Sequence, residues 1–196
     1  MGGIAHVPGR VACGLMASYS IRLVGDPVLR QIAQPVENID GKLATVAADM
    51  LDAMYAAPGV GLAAPQVGIQ KRFFVYDIGE GEGPKTLINP VVVESRGEWS
   101  YDEGCLSVPD MSFEIVRPKE IHITGFDLDG NEVSLEADEF EARMFLHEID
   151  HLDGKLLIDM LEDDQRRAAM KVLRQRAMGE EPTVPERKGL RLRLRS

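Results

Sequence analysis

Two histidines stand four positions apart in His147-Glu148-Ile149-Asp150-His151. On a helix that spacing turns both imidazoles to one side, where they can hold a single metal ion. The glutamate beside the first histidine can then reach a water at the ion and act as a general base. The alternative is a surface helix that carries these letters by chance. A hydrolytic metal takes three protein ligands and keeps one position for water, so two histidines leave one donor to find. One protease pattern continues with a glycine and a third histidine; Gly154 fits the glycine, but Leu157 stands where that histidine would be, which excludes the class. A second class takes a distant glutamate, and Glu162, Glu180 and Glu181 are no better than weak candidates. His6 lies near the N-terminus, and His122 is alone on a predicted strand. Cys105, in Glu103-Gly104-Cys105-Leu106-Ser107-Val108-Pro109, is the remaining donor. A lone cysteine is more often a small buried hydrophobe, yet beside a helix that lacks its third ligand it becomes the preferred one. A thiolate with two imidazoles suits a divalent transition metal.

The elements that position these groups follow from periodicity. Leu43, Val46, Ala47, Met50, Leu51, Met54 and Tyr55 recur at helical spacing between Asp40 and Ala57, with Asp40 as N-cap and Pro58-Gly59 as the stop. Arg72 to Asp77, Thr86 to Glu94, and Glu120 to Phe126 are rich in β-branched and aromatic residues and read as strands. Asp127 to Asn131 is a turn into a further strand, Glu132 to Leu135. Asp26-Pro27-Val28-Leu29 reads as a turn into a short extended stretch. Asp138 with Glu141 resembles a capping box opening the two-histidine helix, which runs through His151 and stops at Gly154. A last amphipathic helix spans Leu161 to Met178, ended by Pro182, Pro185 and Gly189. The expected fold class is α+β: one domain with antiparallel or mixed β-sheets around a central metal-binding helix, plus a C-terminal helix.

At 196 residues and 44% hydrophobic, the chain is long enough for one packed core. No apolar run approaches the roughly 20 residues a membrane helix needs. Val11 to Ala17 makes a poor signal peptide, and Met16 precedes the first patterned residues. The expected organisation is therefore a disordered extension over 1–15, a catalytic domain over 16–178, and a basic tail over 179–196. Two cysteines, Cys13 and Cys105, are too few for a disulfide framework and point to a reducing cytoplasm. The net charge of −10 is uneven: from Arg166 onward ten Lys/Arg face three acids, so that end is +7 and the body −17. Such an end is either a solvated helix and tail or a nucleic-acid contact.

Three segments in order, Gly59-Val60-Gly61-Leu62-Ala63-Ala64-Pro65-Gln66, Glu103-Gly104-Cys105-Leu106-Ser107 and His147-Glu148-Ile149-Asp150-His151-Leu152-Asp153-Gly154, resemble the peptide deformylases; Asp26-Pro27-Val28-Leu29 is similar to that family's N-terminal segment. The resemblance runs from about Ile21 to the last helix. It implies a hydrolase that removes the formyl group from the N-terminal methionine of newly made, N-formylmethionyl nascent peptides and releases formate. It assigns Cys105, His147 and His151 to a metal, natively Fe2+, with Ni2+, Co2+ or Zn2+ able to substitute. In the implied mechanism the ion lowers the pKa of its water and hydroxide attacks the formyl carbon. Glu148 is general base and then acid, and Gln66 with the Leu106 backbone N–H binds the developing oxyanion.

The glycine-rich loop lacks the Gly-x-x-x-x-Gly-Lys pattern of a phosphate site; its expected use is close approach to an extended peptide, with Val60, Gly61 and Gly104 binding substrate. Met144, one turn before His147, is a pocket wall or plain core. Asp150 is a candidate orienter of a metal histidine, or an exposed ion-pairing residue. Leu146 departs from the family's usual glutamine before the first metal histidine, which puts the local hydrogen bonding in question. The family's C-terminal helix can dock on the ribosome, and the basic end suits contact with ribosomal RNA. Two other readings remain: a zinc endopeptidase with another third ligand, and a ribosome-binding module without activity.

Overall fold

The structure, a computed structural model, describes residues 19–79, 81 and 83–182, and the backbone of 190–192. The expected extension over 1–15 lies outside the described residues. Three helices, α1 (Gly41–Ala56), α2 (Glu139–Leu152) and α3 (Asp163–Ala177), pack against two antiparallel sheets. The larger sheet has the order β1 (Gly61–Ala63), β2 (Phe73–Tyr76), β3 (Lys85–Arg96), β6 (Glu120–Phe126), β7 (Glu132–Asp138). The smaller one joins β4 (Trp99–Cys105), β5 (Val108–Arg117) and a short β8 (Leu190–Leu192). This is the expected α+β class. All strand ladders are antiparallel; the one parallel pairing among the described residues is an isolated bridge between Gln34 and Lys71.

β2 shows why the sequence folds this way. Its residues Phe73-Phe74-Val75-Tyr76 are all buried, because alternate side chains point to opposite faces of a sheet and here both faces are covered. Phe74 and Tyr76 pack with Leu87, Ile123 and Phe145 under α2, whereas Phe73 and Val75 pack with Met50, Met54 and Ile88 under α1. Phe145 sits at the hub, with ring centroids 5.8 Å from Phe74 and 5.0 Å from Tyr76. A separate core holds the small sheet: Cys105, Val108, Met111, Phe113 and Ile115 pack with Leu156, Leu157, Ile158, Leu161 and, from α3, Ala169 and Val172.

Several local expectations change. Asp40 caps α1 as expected, its carboxylate accepting from the N–H groups of Lys42 and Leu43. Asp138 precedes α2 without a side-chain cap bond; Glu139 instead has φ of 39° and its N–H donates to Lys119 O, so the turn between β5 and β6 satisfies one group of the helix end. Pro27–Arg30 is a 3-10 turn rather than an extended stretch, because Asp26 accepts from Val28 N–H and Pro27 supplies a helical φ. β4, β5 and β8 are strands that periodicity did not reveal, and β8 pairs with Met111 to Phe113 within what reads as a tail. Gly154 ends α2 with φ of +72°, and a Cβ there would meet the Arg30 carbonyl at 2.9 Å.

Candidate metal centre

The site forms where β4 meets α2. Cys105 ends β4, and His147 and His151 lie one turn apart on α2, their rings 5.0 Å apart. One donor atom from each lies within 4.8 Å of the others. Cys105 Sγ is 3.3 Å from His151 Nε2. His147 Nδ1–H donates to Glu103 Oε2 at 3.1 Å, which leaves Nε2 of that ring for an ion. A carboxylate behind a metal histidine fixes its tautomer and ring plane. The carboxylate in that position is Glu103, which the sequence had placed in a motif without a role. Asp150, read as either an orienter or an ion-pairing residue, accepts from Arg117 Nη1 at 2.8 Å, which fits the second reading.

Electrostatics favour a cation here. Burial opposes the charge on Glu103, but hydrogen bonds from His147 and Arg117 outweigh it and hold its pKa down at about 2. His147 is buried too, yet Cys105 and Glu103 on its two sides raise its pKa well above the ordinary value. His151, buried beside His147, is held well below it. The site's buried donors of two nitrogens and one sulfur fit a divalent transition metal.

Glu148 is buried, and burial raises its pKa to about 7, with the charge of His147 and the Ala63 N–H pulling the other way. Its Oε2 has no hydrogen-bond partner among the described residues. Gly61 on β1 packs against it. Gln66 is buried on a 3-10 turn, Ala64–Val67; its Oε1 accepts from Ala63 N–H at 2.9 Å and its Nε2 donates to Ser107 Oγ at 3.2 Å, 4.0 Å from Cys105 Sγ. The structure therefore brings Gln66, Cys105, His147, Glu148 and His151 together. Val60 is exposed, and its carbonyl accepts from Asp77 N–H. Leu106, at the turn after β4, lies close enough to Gly59 that a Cβ there would meet its Cδ1 at 2.8 Å. Gly104 is on β4 opposite Ser112. Met144 is buried in the core around Phe145, and Leu146 packs against that core. His122, set aside as a ligand, lies 2.8 Å from Ser134 Oγ on the larger sheet.

Sequence reasoning missed two arginines: Arg117 forks onto Glu103, with Nε to Oε1 at 2.5 Å and Nη2 to Oε2 at 3.0 Å, and Arg143 also donates to Oε1. Glu103 itself carried a signal, an acid two residues before the candidate cysteine Cys105.

The family model for polypeptide deformylase matches residues 18–167. A peptide deformylase of Halothermothrix orenii is 48% identical over 144 residues, covering 74% of this chain and 94% of that one. The crystal structure of a peptide deformylase from Legionella pneumophila aligns with a TM-score of 0.79 at 40% identity, covering 85% of this chain and all of that one. The peptide deformylase of Thermotoga maritima aligns with a TM-score of 0.70 at 46% identity, covering 74% and 97%. The chain belongs to the polypeptide deformylase family. It is accordingly a metal-dependent enzyme, and the reaction of its family removes the N-formyl group from nascent peptides. No helix among the described residues is long and apolar enough to cross a membrane.

Proposed function

We propose that Cys105, His147 and His151 hold the catalytic ion, natively ferrous iron with nickel, cobalt or zinc able to replace it, and that Glu148 carries the proton in deformylation. The convergence of those three buried donors beside a buried carboxylate is the observation that supports this. The ion, when bound, supplies Lewis acidity that makes water nucleophilic near neutral pH. Glu148 takes a proton from the water that adds to the formyl carbon, then gives it to the departing amine nitrogen as the C–N bond breaks; formate and a free N-terminus result. Burial pushes this carboxyl group up to about 7 before any ion is counted, and a value raised towards neutrality suits both roles, since the group then gains and loses its proton at smaller cost. Gln66 Nε2, whose two N–H groups point to Ser107 Oγ and, over a long 4.0 Å contact, to Cys105 Sγ, turns the second of these with the Leu106 N–H to the oxygen that becomes negative. Val60, Gly61 and Gly104 bind the peptide backbone as an added strand and Met144 walls the methionine pocket, on a catalytic unit of about 16–178 working in the cytoplasm.

The test is formate release from formyl-Met-Ala-Ser by the nickel- or iron-loaded protein beside Glu148→Ala. Release by the wild type, lost in a variant that still binds metal, supports the assignment; no release from fully loaded protein sinks it.

A second reading concerns location. Arg166, Arg167, Lys171 and Arg174 line one hollow of about 350 Å³ on α3 around Met170. That cationic surface supports docking on ribosomal RNA through phosphates. Neutralising the four should weaken ribosome binding at low salt, and unchanged binding would count against it.

A further inference from the structure

Glu103 and Cys105 stand two apart on β4, while Arg143, His147 and His151 follow at four-residue steps along α2. The carboxylate of Glu103 is where the two rows meet. Its Oε2 accepts from His147 Nδ1 and from Arg117 Nη2; its Oε1 accepts from Arg117 Nε and from Arg143 Nη1. A carboxylate has about four acceptor positions, and here four donors fill them. Arg117 is also committed to Asp150 at 2.8 Å, so one guanidinium faces two carboxylates and the group lacks a positive charge without Arg143.

Arg143 is only 3% exposed, and a cation this buried is costly unless it is engaged; both of its terminal nitrogens are, while its Nε has no partner among the described residues. Its second arm, Nη2, donates to Trp99 O at 2.5 Å, at the start of β4, and its guanidinium lies 5.0 Å from the centre of the Trp99 ring. One side chain of α2 thus clamps both the first residue of β4 and the carboxylate near its end. We propose that Arg143 is a positioning residue of the metal centre: by occupying Oε1 it locks the Glu103 carboxylate so that Oε2 meets His147 Nδ1 and the other ring nitrogen faces the ion. This rests on the reading that Cys105, His147 and His151 are the ligands.

The probe is Co2+, whose affinity is read by competition with a fluorescent chelator and whose thiolate site is read by its absorption bands. R143Q should bind Co2+ about 10- to 100-fold more weakly than wild type, the loss typical when support behind a metal histidine is removed, with altered bands. R143K should recover part of that loss, because it keeps the charge but cannot reach Glu103 and Trp99 O together. Wild-type affinity and bands in R143Q overturn the proposal, even if the metal-free protein melts lower, for that would be a purely structural role. Should R143Q fail to fold, R143K carries the test, and unaltered affinity and bands there overturn it equally. Failure of the wild type to take up Co2+ overturns the ligand assignment beneath it, an outcome separable from any effect of Arg143.

Discussion

Gly61 and Glu148 are fitted to one another: a Cβ on Gly61 would stand 2.5 Å from Glu148 Oε1 and 3.0 Å from its Cδ. No contact that close is tolerable, so Gly61→Ala must push the carboxylate aside. Displacement of a catalytic group by about an ångström can lower a rate about 100-fold. G61A is expected to lose about that much in kcat for formate release while its circular dichroism stays native. Wild-type kcat would refute this dependence of the Glu148 carboxylate's working position on Gly61.

The acid limb of the rate profile has a defined direction. Glu148 must be ionised to take a proton, and without an ion its pKa is about 7. A cation beside it favours the charged form and lowers that value. The kcat/KM of the metal-loaded enzyme should therefore rise with pH through a midpoint below 7 and level off above it. A midpoint above 7 would contradict this.

How much of this was legible beforehand depends on how local each signal is. The convergence of His147, Glu148 and His151 could be read because helical spacing alone brings them together, and that of Cys105 with them because two histidines call for a third donor. β4 was hidden: Trp99-Ser100-Tyr101-Asp102-Glu103-Gly104 places a buried Glu103 where a strand pattern wants an apolar residue, and its partners Arg117 and Arg143 are 14 and 40 positions away. A buried arginine reads like a surface one until its partner is known. The start of α1 was readable from Asp40, whereas at Asp138 no capping box forms and the carbonyl of Lys119, in the turn before β6, accepts from Glu139 N–H.

Phe145 bears on stability. It is wholly buried between Phe74 and Tyr76, and Phe→Ala in such a place costs about 3–5 kcal/mol. Urea unfolding of metal-free F145A should show that loss; less than 1 kcal/mol would mean the rings close over the gap.

Asp159 fixes the segment between α2 and α3. It is partly buried, which opposes its charge, but Arg30 and the Leu156 N–H bind the carboxylate and hold its pKa below the ordinary 3.8. A pKa lower in the folded than in the unfolded chain stabilises the fold above the unfolded value. The gap in melting temperature between wild type and D159N should thus be full above pH 3.8 and close as pH falls through the folded value. It should also narrow with added salt, as for other partly exposed pairs. A gap that widens on acidification would refute the assignment.

Cys105 belongs to the core shared by the small sheet and α3, whereas α2 packs into the core over the large sheet. The three proposed ligands therefore straddle a seam between two hydrophobic bodies. An ion held there joins them as a rivet joins two plates, making their openings one cooperative event. Backbone amides of β5 and α3, far from the chemistry, should then exchange with deuterium more slowly in the loaded protein and report occupancy of the centre from a distance.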